Sequence, residues 1–152
     1  TTSQFTEMTT LTGAFDIAAG DFNADGIADV ASSWVSGLWY QDGSTLAWTF
    51  IDSVPPSNVT AGDVTGDGRD EIIVARDSGI DYWDATTSQF TEMTTLTGAF
   101  DIAAGDFNAD GIADVASSWG SGLWYQDGSS LAWTPIFDLP PTRVTAGDVT
   151  GQ

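Results

Sequence analysis

A nine-residue pattern, D-x-[NT]-x-D-G-x-x-[DE], occurs three times in this 152-residue chain. Its first copy is Asp21, Asn23, Asp25, Gly26 and Asp29. The second is Asp63, Thr65, Asp67, Gly68 and Glu71, and the third is Asp106, Asn108, Asp110, Gly111 and Asp114. Such spacing suits a hard cation. Ca²⁺ takes about six to eight oxygens at about 2.3–2.6 Å, and alternate residues of a curled loop aim their oxygens at one centre. Glycine at the sixth position permits the sharp turn. The carbonyl of the seventh residue (Ile27, Arg69, Ile112) adds a ligand, and the ninth residue's acid closes the shell. One such loop is equally well a solvated turn built on Asx and Asp-Gly geometry. Three at a fixed spacing favour calcium, with about three ions per chain. Mg²⁺ fits less well, because it prefers few protein ligands in near-octahedral geometry. A fourth loop keeps Asp148 and Thr150 but has Gln152 where Asp67 stands in its counterpart, so it predicts no complete site.

The elements that hold these loops follow from two nested repeats. Residues 1–67 and 86–152 align without gaps, differing only at 35, 45, 50, 52, 53, 54, 57, 58 and 67. Such closeness indicates either a recent duplication or an engineered repeat. Within it, Gly-Asp pairs fall at 20–21, 62–63, 105–106 and 147–148, a period near 42. Each unit predicts four strands. The first is short and apolar, Ala14–Gly20 or Asn58–Gly62, and the acidic loop follows it. The second alternates, Ile27–Trp34 or Arg69–Arg76. The third is aromatic, Gly37–Gln41 or Gly79–Trp83, and the Asp42-Gly43 pair then turns the chain. The fourth is Leu46–Ile51 or Gln89–Met93. No segment carries capped helical periodicity. The expected fold is therefore all-β: a β-propeller of four-stranded blades of about 42 residues, with about 3.5 blades per chain.

In this register the chain is a single repeat array. A lone outer strand lies in 1–13, blades in 14–56, 57–98 and 99–141, and a lone inner strand in 142–152. Such an array does not close a ring alone, and open edges invite association. The expected partner is a second copy of the chain, with a dimer favoured. Two chains supply about seven periods, yet a blade joined from two lone strands lacks its middle pair.

Here the residues carry a resemblance. GDFNADGIADV and GDVTGDGRDEIIV resemble the FG-GAP or VCBS-type repeats of integrin-α-like β-propellers, and the likeness runs over essentially the whole chain. In that family the motif lies between the first two strands of a blade and binds calcium. The resemblance thus implies metal ligation by Asp21, Asn23, Asp25, Ile27 and Asp29, by Asp63, Thr65, Asp67, Arg69 and Glu71, and by Asp106, Asn108, Asp110, Ile112 and Asp114. Family propellers are commonly seven-bladed, so three full blades depart from the pattern. Members serve in adhesion, in carbohydrate binding and as domains attached to extracellular enzymes, and the fold does not choose among these.

Composition narrows the field. The formal net charge is −19, and the only bases are Arg69, Arg76 and Arg143. No basic patch can form, which argues against nucleic acid and anionic membrane surfaces. No apolar run is long enough for membrane insertion. Cys and His are absent, removing thiolate and imidazole chemistry. Seven Trp suggest packing between blades, with a sugar-stacking surface as the alternative for Trp39, Trp83 and Trp124 beside Asp42, Asp84 and Asp127. The leading expectation is a non-enzymatic, calcium-stabilised propeller module. A carbohydrate-binding propeller is second, and a calcium-assisted polysaccharide-degrading enzyme is third. Loops of this class suit millimolar extracellular calcium, so the expected location is secreted.

Overall fold

The computed structural model describes residues 8–10 and 12–147. Those residues form twelve strands and no helix. The strands make three four-stranded antiparallel sheets. Sheet one is β1 (Asp16–Gly20), β2 (Asp29–Trp34), β3 (Gly37–Gln41) and β4 (Trp48–Asp52). The next comprises β5 (Asn58–Gly62), β6 (Glu71–Arg76), β7 (Gly79–Asp84) and β8 (Gln89–Thr94), and the last β9 (Asp101–Gly105), β10 (Asp114–Trp119), β11 (Gly122–Gln126) and β12 (Trp133–Phe137). Each strand pairs only with its sequence neighbours, so every sheet is a meander. The first strands β1, β5 and β9 pack side by side. This is the arrangement of consecutive propeller blades, and a single chain closes no ring. The expected lone outer strand falls mostly outside the described residues. Residues 142–147 form no strand of their own.

Alternation along β6 explains why the middle blade is apolar on both faces. Ile72 and Val74 join Phe22, Ala31, Leu38, Val59 and Trp83 in a core between blades one and two. Ile73 and Ala75 point the other way, toward Ile80, Ile102, Val115 and Trp119 between blades two and three. The outer hairpins contribute through a repeated irregularity. Register shifts at Leu38/Trp39, at Ile80/Asp81 and at Leu123/Trp124. One residue of each fourth strand is thereby left over, namely Ile51, Met93 or Ile136. A bulge re-aims such a residue. Ile51 packs on the first core and Met93 on the second. Ile136, with no fourth blade beyond it, is exposed.

Tandem identity lets one residue be compared in two settings. Phe22 is 1 % exposed beneath blade two, whereas its counterpart Phe107 on the last blade is 44 % exposed. Leu38 is fully buried between blades, so Leu38→Ala is expected to cost about 2–5 kcal/mol. Val35 is exposed, and the second repeat has Gly120 in its place. Val35→Ala is therefore expected to change stability by less than about 0.5 kcal/mol. Urea unfolding of the two variants checks both values.

Candidate metal centre

Each acidic loop joins the first strand of a blade to the second, so two paired strands fix its ends. Inside the loop the first acid holds the backbone curl. Asp21 accepts N–H bonds from Asp25 (3.1 Å) and Gly26 (2.9 Å). Asp63 accepts from Gly66 (2.7 Å), Asp67 (3.1 Å) and Gly68 (2.8 Å). Asp106 repeats the Asp21 pattern with Asp110 (3.1 Å) and Gly111 (2.9 Å). The fifth-position acids Asp25, Asp67 and Asp110 each accept the N–H two residues on, at 2.8–3.0 Å. Asn23 and Asn108 accept from the same N–H groups of Asp25 and Asp110, both at 2.9 Å.

The curl requires left-handed backbone at the sixth position, where Gly26, Gly68 and Gly111 have φ of 82°, 88° and 89°. It requires it at the fourth position as well. Gly66 meets that need without strain (φ 72°), whereas Ala24 and Ala109 adopt φ of 61° and 62°.

The ninth-position acids are buried, and here the loops divide into two kinds. Asp29 accepts the N–H of Phe22 (3.0 Å) and, across the blade, that of Gly43 in the β3–β4 turn (2.8 Å). Asp114 does the same with Phe107 (2.8 Å) and Gly128 (2.9 Å). This clamp needs glycine in the turn, because a Cβ on Gly43 would lie 2.1 Å from the Ala28 carbonyl oxygen. In the middle blade Ala85 occupies that turn position, and the acid is Glu71. Glu71 bonds instead within its own loop, to the N–H groups of Val64 (3.0 Å) and Thr65 (3.2 Å) and to the Thr65 hydroxyl (3.2 Å). Among the described residues, Asp63, Asp67 and Glu71 form the group of carboxylates whose oxygens all come within 4.8 Å of one another. The acids of loops one and three do not form such a group. The pairing of Asp with a turn Gly, and of Glu with a turn Ala, was visible in the sequence but carried no meaning until the clamp was seen.

Electrostatics sharpen the contrast. Burial pushes the Glu71 carboxyl up to about 7; its bonds to Thr65 and Val64 oppose the shift, and Asp63 and Asp67 add to it. Asp29 is also raised by burial, against the opposing N–H bonds of Gly43 and Phe22. Arg69 pairs with Asp67, holding that carboxyl below its usual range.

The residues singled out as a sugar surface also serve the fold. Asp42 caps the β3–β4 turn, accepting from Ser44 N–H (2.8 Å), the Ser44 hydroxyl (2.7 Å) and Thr45 N–H (2.8 Å). Asp84 caps the β7–β8 turn through Thr86 N–H (2.7 Å) and the Thr87 hydroxyl (3.0 Å). Asp127 takes Ser130 N–H (2.8 Å), the Ser129 hydroxyl (2.7 Å) and Asn108 Nδ2 (3.1 Å), which lower its pKa to about 2. Trp83 is 6 % exposed, with its ring 5.6 Å from that of Tyr40, and presents no free face for stacking. Trp39 is half-buried with its edge against Phe50, and Trp124 is half-buried against the second core.

Three meander sheets, each opening on an acidic loop, define a propeller-type repeat protein. Residues 63–117, from the second loop through most of β10, match the family described as the FG-GAP-like repeat. No curated protein matches the chain.

Two outcomes follow from the loop geometry. Ala24→Gly relieves the left-handed alanine and is expected to stabilise the protein by about 1 kcal/mol, measured by urea unfolding. In chelator, Glu71 keeps a proton in the folded state that the unfolded chain has released between its ordinary 4.5 and about 7. Stability of the metal-free protein is therefore expected to fall as pH rises through that window. Glu71→Gln is expected to flatten the slope, read from melting temperatures at fixed ionic strength.

Proposed function

We propose that the chain is a non-enzymatic, calcium-stabilised β-propeller repeat module that completes its ring by association between copies. The convergence of Asp63, Asp67 and Glu71 carries the calcium reading. Every side-chain donor in that loop is a hard oxygen, and the neighbouring backbone is already curled by carboxylate–amide bonds. Calcium bound there would offset two of the three carboxylate charges and free Glu71 of its proton. Asp67 would exchange its Arg69 partner for the metal.

Loops one and three would bind through Asp21, Asn23, Asp25 and Asp29 and through Asp106, Asn108, Asp110 and Asp114. Each clamped carboxylate keeps lone pairs beyond those its N–H partners use. Three ions would add six positive charges, taking the formal charge from −19 to −13. The metal's role in this reading is structural, and a secreted location would supply enough calcium. The absence of His, Cys and Lys, together with the turn-capping duty of the outer acids, supports a module without catalysis.

Calorimetric titration is expected to give about three Ca²⁺ per chain, with the second loop tightest. At calcium about 100-fold above each dissociation constant, every site would add about 2.7 kcal/mol to stability. Asp63→Ala is expected to remove one ion and its share of the melting shift. Melting that ignores both calcium and chelator would overturn the proposal.

A further inference from the structure

Blade three presents its leading edge to blade two, and among the described residues no blade covers the same edge of blade one. At the internal edge Ile102 is 4 % exposed, and Asn58 Nδ2 reaches Asp101 Oδ1 (3.3 Å) and the Phe100 carbonyl (3.4 Å). Ala104 donates its N–H to the Thr60 hydroxyl (3.2 Å). Gly62 lies so close that a Cβ there would meet the Cβ atoms of Ala113 and Ala104 at 2.9 and 3.0 Å. One repeat earlier, Ile17 is 63 % exposed. Asp16 Oδ1, the counterpart of the oxygen that takes Asn58, accepts only the adjoining N–H of Ile17 (3.0 Å) among the described bonds.

The complementary half of this contact lies at the other end. Residues 142–147 repeat 57–62, and they sit on blade three as β5 sits on blade one. Val144 donates its N–H to Asp101 Oδ2 at 2.7 Å, as Val59 does to Asp16 Oδ2 at 2.8 Å. Among the described residues, a Cβ on Gly147 would meet nothing within 4 Å. An exposed Arg143 stands where Asn58 stands internally. Among the nine differences between the repeats, this is the one that adds a cation. The other two arginines are engaged, Arg69 with Asp67 and Arg76 with Asp52 at 2.9 Å.

We propose that the 142–147 segment of one copy docks head to tail on β1 of a second copy, with Arg143 of the first paired to Asp16 of the second. The junction repeats the β5–β9 contact, with Thr145 facing Ala19 and Gly147 facing Ala19 and Ala28. An ion pair replaces the Asn58–Asp101 bond. In a chain of charge −19 a cation at this point turns a repulsive approach into a directed one. Head-to-tail contacts are heterologous and grow into rings or open chains. The inference depends on the blade reading and names the contact by which the ring would close.

Sedimentation velocity of the full chain in millimolar calcium tests it. The wild type is expected to associate, and Arg143→Glu to weaken association about tenfold or more. Asp16→Asn keeps an acceptor for Val59 and is expected to weaken association with the melting temperature of the monomer little changed. Association that ignores both variants would overturn the Arg143–Asp16 junction while leaving ring assembly standing. A calcium-loaded monomer at every concentration would overturn both.

Discussion

Burying a carboxylate at the end of each acidic loop is the constraint on which the rest of the blade depends. An ionised acid out of water is costly unless several donors face it. Asp29 and Asp114 find theirs in two places, the loop behind them and the hairpin turn beside them. That single requirement locks the loop, the second strand and the outer hairpin into one rigid corner. It also dictates the turn's composition, because only glycine lets the turn's N–H come near enough. Where Ala85 keeps the turn away, the acid lengthens to Glu71 and finds its donors in its own loop. The middle blade thus trades a corner clamp for a cluster of three carboxylates.

These corners also join the blades. Asp21 donates its N–H to the Asp70 carboxylate (2.9 Å), and its carbonyl accepts the N–H of Asp70 (3.1 Å). The carbonyl of Asp63 accepts the N–H of Ala113 in the next loop (2.8 Å). Loop one is therefore tied to loop two, and loop two to loop three, outside the apolar cores. A cation in the second loop would stiffen a point where three blades are linked. Residues 58 and 101 play the matching part on the inner strands. Asn58 is only 8 % exposed and its amide is engaged with Asp101.

Periodicity made much of this architecture readable in advance. The twelve strands lie where the 42-residue repeat, the Asp-Gly turns and the alternating β-branched runs put them. The second strands begin at Asp29, Glu71 and Asp114, because the ninth loop residue is already paired in the sheet. Aromatic roles were less legible. Trp39 and Tyr40 do face opposite ways, but Trp39 packs on Phe50 and Tyr40 on Trp83, so opposite facing does not select an exposed ring. The structural role of the outer acids was hidden for a related reason. Asp42, Asp84 and Asp127 look free in sequence, yet a tight turn spends an Asp carboxylate on its own N–H groups.

Nor did the loop motif reveal that its copies differ. Loops one and three are identical over all nine residues, and loop two matches the pattern with Thr, Arg and Glu substituted. By pattern alone the second is the least regular copy. In the fold it is the one whose acids already converge, because Glu71 is not spent on the hairpin. Its left-handed fourth position is glycine, and its seventh residue carries a guanidinium that shields Asp67. The exceptions to the repeat thus fall where electrostatics needs them: an added methylene brings an acid into the cluster, and an arginine offsets the charge that results.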